Sequence, residues 1–191
     1  MRSLLCLVLL AAPPAWAQAK VINESITIKA SPAAVYKAWT TRDGIRTFFA
    51  PDAVIEPRVG GLFEIHMNPY AEPGMKGADD MRYLALQENR MVSFTWNAPP
   101  SLPEARKQRT YVTLRFESHG DDTQVTLFHG GFGEGGEWDK THAYFSRAWP
   151  GVLKNLKKSF EEKPIDWDPW LKQMKAGTEA AKSKADEGKS N

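Results

Sequence analysis

One long amphipathic helix follows the last strand-like run of this sequence. Its large apolar side chains recur mainly at steps of three and four residues, the spacing of one helix face: Trp138, Phe145, Trp149, Val152, Leu153, Leu156 and Phe160. No further strand-like run follows this helix. A chain with this order of elements must pack one face of its sheet against the helix.

Seven strand-like runs precede that helix. The first is VINESITIKA at residues 21–30, and six more cover residues 52–59, 61–67, 81–88, 90–96, 109–118 and 123–129. After the first run, Ser31 and Pro32 form the N-cap and first-turn pattern of a short helix, and a second short helix is expected around residues 43–49. The predicted fold class is α+β, with a seven-stranded antiparallel sheet, two short helices after the first strand and a long C-terminal helix.

A glycine-rich segment, FHGGFGEGGEWDK at residues 128–140, connects the last strand to the long helix. Gly131, Gly133 and Gly136 have the spacing of a dinucleotide phosphate loop. Such a fold also requires a parallel strand after the helix, which this order of elements does not provide. We therefore expect no nucleotide. Our hypothesis is that residues 130–136 form a mobile rim over a cavity, with Phe132 as a plug.

The first seventeen residues have the pattern of a secretory signal. A basic start with Arg2 precedes an apolar run at residues 4–12, and Ala15-Trp16-Ala17 is a small-x-small cleavage site. We predict cleavage before Gln18, export to the periplasm or medium, and no membrane insertion afterwards. An uncleaved anchor or a buried strand is the alternative interpretation.

Composition excludes several function classes for the mature chain. The only cysteine, Cys6, lies within the predicted signal, so no disulfide, thiol catalysis or thiolate metal site is expected. Removing Arg2 leaves 24 of the 25 basic residues against 23 acidic ones, a net charge of +1. A charge this small gives no reason to expect a nucleic-acid partner.

The region after the long helix divides into two parts. Residues 164–174 are predicted to form a short amphipathic helix with Trp167, Trp170, Leu171 and Met174 on one side. This stripe either packs back on its own domain or contacts a weak protein partner. Residues 175–191 have no large apolar side chain and are expected to be a disordered tail. The folded domain is therefore predicted at residues 18–163.

Several motifs together resemble a known family. They are ASPAAVYKAWT at 30–40, EPRVGGLFEI at 56–65, FTW at 94–96, TQVTLFHGGF at 123–132 and WPGVLKNLK at 149–157. The chain resembles the START-like, SRPBCC or helix-grip superfamily, in the branch of homologues of the heat-shock-protein-90 ATPase activator. The resemblance implies a curved seven-stranded antiparallel sheet around the C-terminal helix, with a cavity that often holds an apolar ligand.

This sequence departs from the family pattern in two places. Relatives usually have a tryptophan-led aromatic pair after the second helix, whereas this chain has Phe48-Phe49-Ala50. The segment at residues 97–108 contains three prolines and is longer than usual. Both departures concern the shape of the cavity rather than the fold.

Strand alternation, together with the resemblance, predicts which side chains line such a cavity. The predicted ligand-binding residues are Phe48, Phe49, Phe63, Ile65, Met67, Tyr83, Phe94, Trp96, Leu114, His129, Phe132, Trp138, Phe145 and Trp149. The alternative is that these side chains form a solid core. So many large rings on concave surfaces favour a ligand-binding lining.

His129 is the candidate for catalysis or metal binding, because strand alternation places its side chain on the inward face among apolar groups. No ligand spacing such as His-x-x-x-His accompanies it, so a hydrogen-bonded structural histidine is expected, with no metal and no cofactor. His66 and His119 are expected to face solvent. The predicted function is binding of a small, mainly apolar molecule. The alternatives are a small-molecule hydrolase, cyclase or isomerase that uses the same cavity, and a protein-interaction module.

Overall fold

The computed structural model describes residues 20–187, with side chains to residue 183. The predicted signal at residues 1–17 and the last four residues of the predicted tail lie outside the described residues. The α+β prediction is confirmed: within the described range an antiparallel sheet packs with a long C-terminal helix. The strands are β1 Ile22–Ile28, β2 Asp52–Ile55, β3 Phe63–His66, β4 Gly77–Ala78, β5 Tyr83–Gln87, β6 Met91–Trp96, β7 Thr110–His119 and β8 Asp122–Gly130.

The main sheet has five strands in the order β1-β8-β7-β6-β5. All of its neighbouring strands are antiparallel. Inward residues of β7 alternate with exposed ones, so that Val112, Leu114 and Phe116 are buried while Tyr111 is exposed. The alternating pattern therefore assigned the two faces of this sheet correctly.

The remaining strands form a second, three-stranded sheet in the order β2-β3-β4. The amide of Phe63 donates to the carbonyl of Met81 at 2.7 Å, and the amide of Tyr83 donates to the carbonyl of Gly61 at 3.0 Å. These bonds connect the two sheets near β3 and β5. All seven predicted runs contain strands, and β4, which is two residues long, is too short to show any alternation in the sequence.

Two short helices follow β1, as predicted: α1 Pro32–Thr40 and α2 Arg42–Phe48. The side chain of Ser31 accepts a hydrogen bond from the amide of Ala34 at 3.3 Å, which caps α1. The two helices approach each other closely at Gly44, where an added Cβ would lie 2.5 Å from the Cα of Ala38. Only glycine fits this contact.

Two further helices come next, α3 Pro103–Arg106 and α4 Glu137–Glu161. The sequence did not predict α3, which lies in the proline-rich segment. The carboxylate of Glu137 accepts the amides of Glu104 and Ala105 at 2.8 and 2.9 Å, so the first turn of α4 caps α3. The buried face of α4 packs against β1 and α2 and consists of Thr141, Phe145, Trp149, Leu153 and Leu156.

The last helix, α5, spans Asp168–Glu187. This corrects the predicted boundary at Met174, because residues 175–187 continue the helix instead of forming a disordered tail. The segment consists mainly of alanine, lysine and glutamate, which are strong helix formers. Tertiary contact also supports the helix, since Asn68 donates to the hydroxyl of Thr178 at 3.2 Å.

Candidate ligand-binding site

A cavity of about 520 Å³ lies between the sheets and α4. β3, β4 and β6 contribute one wall, α4 contributes the opposite wall, and residues 165–174 contribute a third. The residues that line it are Phe49, Ile65, Met67, Asn68, Met75, Lys76, Gly77, Ala78, Trp96, Asn97, Pro99, Pro100, Tyr144, Phe145, Ala148, Trp149, Gly151, Val152, Asn155, Ile165, Trp167, Trp170 and Met174. Its volume lies within the range of about 300 to 1,000 Å³ that is common for small-molecule sites.

Aromatic rings form the inner wall of the cavity. The ring centroid of Trp96 lies 5.5 Å from that of Trp149, 5.9 Å from that of Phe49 and 6.4 Å from that of Phe145. These four side chains come from β6, α4 and the end of α2, so three elements hold the cluster in place. Such a surface suits a flat apolar molecule, because rings at these separations also make edge-to-face and offset-stacked contacts with a ligand.

A hydrogen-bonded chain behind this wall fixes the position of Trp149. The indole N–H of Trp149 donates to Nδ1 of His129 at 2.9 Å, so the proton of the neutral imidazole is on Nε2. Nε2 then donates to the hydroxyl of Thr110 at 2.8 Å, and that hydroxyl donates to the carbonyl of Trp96 at 3.2 Å. Burial, with a smaller contribution from nearby His142, lowers the pKa of His129 to about 3. His129 is therefore neutral at ordinary pH.

The C-terminal segment is attached to the domain by its tryptophans. The indole of Trp167 donates to the carbonyl of Arg46 at 2.6 Å, and the indole of Trp170 donates to the carbonyl of Met67 at 2.7 Å. The amide of Ile165 donates to the carbonyl of Thr47 at 2.9 Å. Both indoles and Met174 line the cavity, while Leu171 is half-buried. The apolar stripe of this segment therefore packs on its own domain.

Arg106 fastens the rim of the cavity. Its guanidinium donates to the carbonyls of Ala98, Gly74 and Gly77 and forms an ion pair with Asp79 at 3.1 Å. The side chains of Arg106 and Asp79 are only 12% and 13% exposed. One side chain of α3 thus joins the segment after β6 to the segment around β4.

The structure divides the predicted ligand-binding residues into three groups. Six lie in the cavity wall: Phe49, Ile65, Met67, Trp96, Phe145 and Trp149. Six others are buried in a close-packed core outside the wall: Phe48, Phe63, Tyr83, Phe94, Leu114 and His129. Strand alternation identifies the inward face but does not reveal which part of that face is already filled. In this part of the core, aromatic side chains occupy the space on the inward face: Phe63 stacks on Phe94 with ring centroids 4.0 Å apart.

The third group, Phe132 and Trp138, lies by the glycine-rich segment, away from the cavity lining. No residue from 130 to 136 is part of that lining, so the hypothesis of a glycine rim over the cavity is wrong. Phe132 packs on the ring of His129 at 4.4 Å. Gly133 lies under Trp138, where an added Cβ would be 2.3 Å from the indole nitrogen. The glycines therefore serve the turn and this close contact.

Sequence analysis missed the polar and rim residues of the cavity. Lys76 and Met75 lie beside β4, which had no alternation to reveal it, and Asn97, Pro99 and Pro100 lie in the proline-rich segment. The unusual length of that segment was the available signal. His66, expected to face solvent, is 6% exposed because β2 and β4 flank it and the carboxylate of Glu64 lies 3.3 Å away.

Residues 20–187 contain neither a metal-binding cluster nor a membrane-spanning helix. No group of three or more histidine, cysteine, aspartate or glutamate side chains in this range has an arrangement that could hold a metal ion. None of the helices in this part of the chain is long and apolar enough to cross a membrane.

Comparison with known proteins gives a family and a fold. The model of the family described as activator of Hsp90 ATPase homolog 1-like protein matches residues 29–161. No curated protein matches the chain.

Solved structures share the fold across most of the chain. A Mesorhizobium loti protein is 20% identical with a TM-score of 0.62, and the alignment covers 76% of this chain and 100% of that one. The Aha1 dimer from Colwellia psychrerythraea is 25% identical with a TM-score of 0.60, with coverage of 75% and 98%. CalU16 from Micromonospora echinospora is 20% identical with a TM-score of 0.57, with coverage of 85% and 86%.

Proposed function

The chain belongs to the family of activator of Hsp90 ATPase homolog 1-like proteins, and on that premise we propose that it binds a small, mainly apolar molecule between its sheets and α4. The observation that carries the proposal is the aromatic cavity itself. Trp96, Trp149, Phe49 and Phe145 present their rings to a space large enough for a small molecule.

The energetic cost of such a space supports an occupant. At about 24 cal/mol per Å³, a fully enclosed dry void of 520 Å³ would cost about 12 kcal/mol, which is comparable to the whole stability of a typical domain, about 5 to 15 kcal/mol. This cavity is partly open to solvent, so its cost is smaller than that limit. Water would fill a cavity lined mainly by apolar side chains poorly, because a buried water needs several polar partners. An apolar molecule makes more favourable contacts with this lining than water does.

The charges around the cavity favour binding over catalysis. Among the described residues that line it, Lys76 is the only one with an ionisable group that is charged at neutral pH. His129, the candidate base, has both ring nitrogens engaged by Trp149 and Thr110. Acid–base chemistry on a bound molecule has therefore little support from the wall residues.

The proposal includes export of the protein to the periplasm or the medium. It is supported by the apolar run at residues 4–12 and by Ala15-Trp16-Ala17. N-terminal sequencing of protein purified from its own organism should begin at Gln18, and an intact Met1 would contradict export by cleavage.

Binding is tested by filling the cavity from α4. Ala148 lines the cavity, whereas Ala143 is an exposed alanine on the same helix. Ala148→Trp should abolish the fluorescence increase of the uncharged dye N-phenylnaphthylamine, and Ala143→Trp should leave it unchanged. Native mass spectrometry of the protein from its own organism should show a bound small molecule. Failure of the folded wild-type protein to bind the dye or any of a broad apolar panel would refute the proposal.

A further inference from the structure

One end of the cavity has polar side chains. The Arg106 guanidinium donates to the carbonyl of Gly77 at 2.8 Å and also to the carbonyl of Ala98. The neighbouring residues, Lys76 and Asn97, both line the cavity. Because one guanidinium joins the two backbone segments, Lys76 and Asn97 belong to the same end of the cavity.

Asn97 is a buried polar side chain without a protein partner. It is 5% exposed, and its carboxamide makes no hydrogen bond to any other residue in the range 20–187. The indole nitrogen of the adjacent Trp96 also has no acceptor among those residues, but like that of Trp39 it is sealed from solvent and does not face the cavity. Buried polar groups are normally hydrogen-bonded, so the unpaired carboxamide of Asn97 in the lining of the cavity points to a ligand atom that pairs with it.

Lys76 gives this end of the cavity its charge. Its side chain is half-buried, and no carboxylate in the described part of the chain pairs with it. No aspartate or glutamate is among the lining residues. Lys76 can only donate, and the amide nitrogen of Asn97 donates as well, so the group that suits both is an anionic oxygen acceptor.

We propose that the ligand is an apolar carboxylate, whose carboxylate group lies between Lys76 and Asn97 and whose apolar body lies against Trp96, Trp149 and Phe145. This inference rests on the proposed binding function and narrows it to a ligand class. A charge-assisted hydrogen bond selects the acid over an uncharged ester of the same skeleton. The apolar part is the same in both molecules and makes the same contacts with the aromatic wall.

The test compares naphthaleneacetic acid with its methyl ester as competitors of N-phenylnaphthylamine at neutral pH. The acid should bind about tenfold more tightly than the ester to the wild-type protein, a difference of about 1.4 kcal/mol. Lys76→Met should remove most of this preference, and Asn97→Leu should reduce it. Lys140→Met is the matched control, because Lys140 is exposed, lies outside the cavity and has no ion pair in the described residues.

The outcomes separate this inference from the binding function. Equal displacement of the dye by acid and ester, or an acid preference that survives Lys76→Met, would overturn the carboxylate inference and leave apolar binding intact. Absence of dye binding to the folded protein would overturn both. If Lys76→Met lowers stability, Lys76→Gln repeats the test with a polar side chain, and a retained acid preference in that variant also contradicts the inference.

Discussion

The indole N–H of Trp149 donates to Nδ1 of His129 at 2.9 Å, from α4 to β8. This bond joins the helix to the sheet at the point where the cavity wall begins. Nε2 of His129 in turn donates to the hydroxyl of Thr110, and that hydroxyl donates to the carbonyl of Trp96. Two tryptophans of the wall are therefore held through one neutral histidine, which gives His129 a structural role at the site.

The first prediction concerns the stability that this chain of bonds supplies. His129→Leu should lower the free energy of unfolding by about 1 to 3 kcal/mol, because the indole of Trp149 and the hydroxyl of Thr110 each lose a buried partner. Urea denaturation at neutral pH measures the effect. His119→Leu is the control, since His119 is exposed on β7. Equal stability of the two variants would contradict the assigned role.

The second prediction is a pH dependence of stability. The pKa of His129 is lowered from 6.5 to about 3 in the folded protein, so below pH 6.5 the unfolded chain binds a proton that the folded chain does not. Stability should therefore fall as the pH decreases from 6.5 towards 3. This group alone should contribute a loss of roughly 2 kcal/mol between pH 7 and pH 5. Urea denaturation at both values should show a smaller loss in His129→Leu than in the wild type, and identical losses would exclude His129 as the cause.

The third prediction concerns the rim. Arg106→Met should destabilise the protein by about 1 to 3 kcal/mol, because Asp79 loses its ion pair in a mostly buried site but keeps hydrogen bonds from the amides of Gly74, Lys76 and Gly77. It should also weaken dye binding, since the segments around Gly77 and Ala98 are no longer joined. Arg109→Met is the control, as the nearest atoms of Arg109 and Asp80 are 3.9 Å apart and both side chains are well exposed. Denaturation and dye titration of both variants provide the measurements. Similar results for the two would contradict the role of Arg106 in joining the two rim segments.

The fourth prediction concerns the C-terminal segment. A chain that ends at Lys163 should remain folded but release N-phenylnaphthylamine about tenfold faster, because Trp167, Trp170 and Met174 no longer close the cavity. Stopped-flow fluorescence measures the release rate. A chain that ends at Ser183 keeps these contacts and should behave like the full chain. Unchanged release from the shorter chain would mean that the segment packs on the domain without closing the cavity.

Much of the fold follows from local patterns. Ser31 caps α1 as its position before Pro32 predicts, and the alternation in β7 and β8 matches their burial. Each of these signals depends on neighbours in the sequence. The arrangement of β4 and α3 does not, because each is held by residues far along the chain, such as Arg106 and Glu137. Neither element has a local pattern strong enough to predict.

The candidate site was only partly predictable for a related reason. Phe63 and Ile65 lie on the same strand and the same face, yet only Ile65 reaches the cavity, because Phe94 and Tyr83 already cover Phe63. Alternation cannot distinguish two such positions. The polar end was missed because Lys76 and Asn97 are brought together by Arg106 rather than by proximity in sequence. Paired contacts of this kind require the assembled structure.

The distribution of tryptophans gives the protein an intrinsic optical readout. Trp96, Trp149, Trp167 and Trp170 line the cavity, which is four of the seven tryptophans in the chain. Indole emission depends on the polarity around the ring and on energy transfer to a nearby acceptor. A molecule that enters the cavity will therefore change both the intensity and the wavelength of the emitted light, so that occupancy can be followed in unlabelled protein.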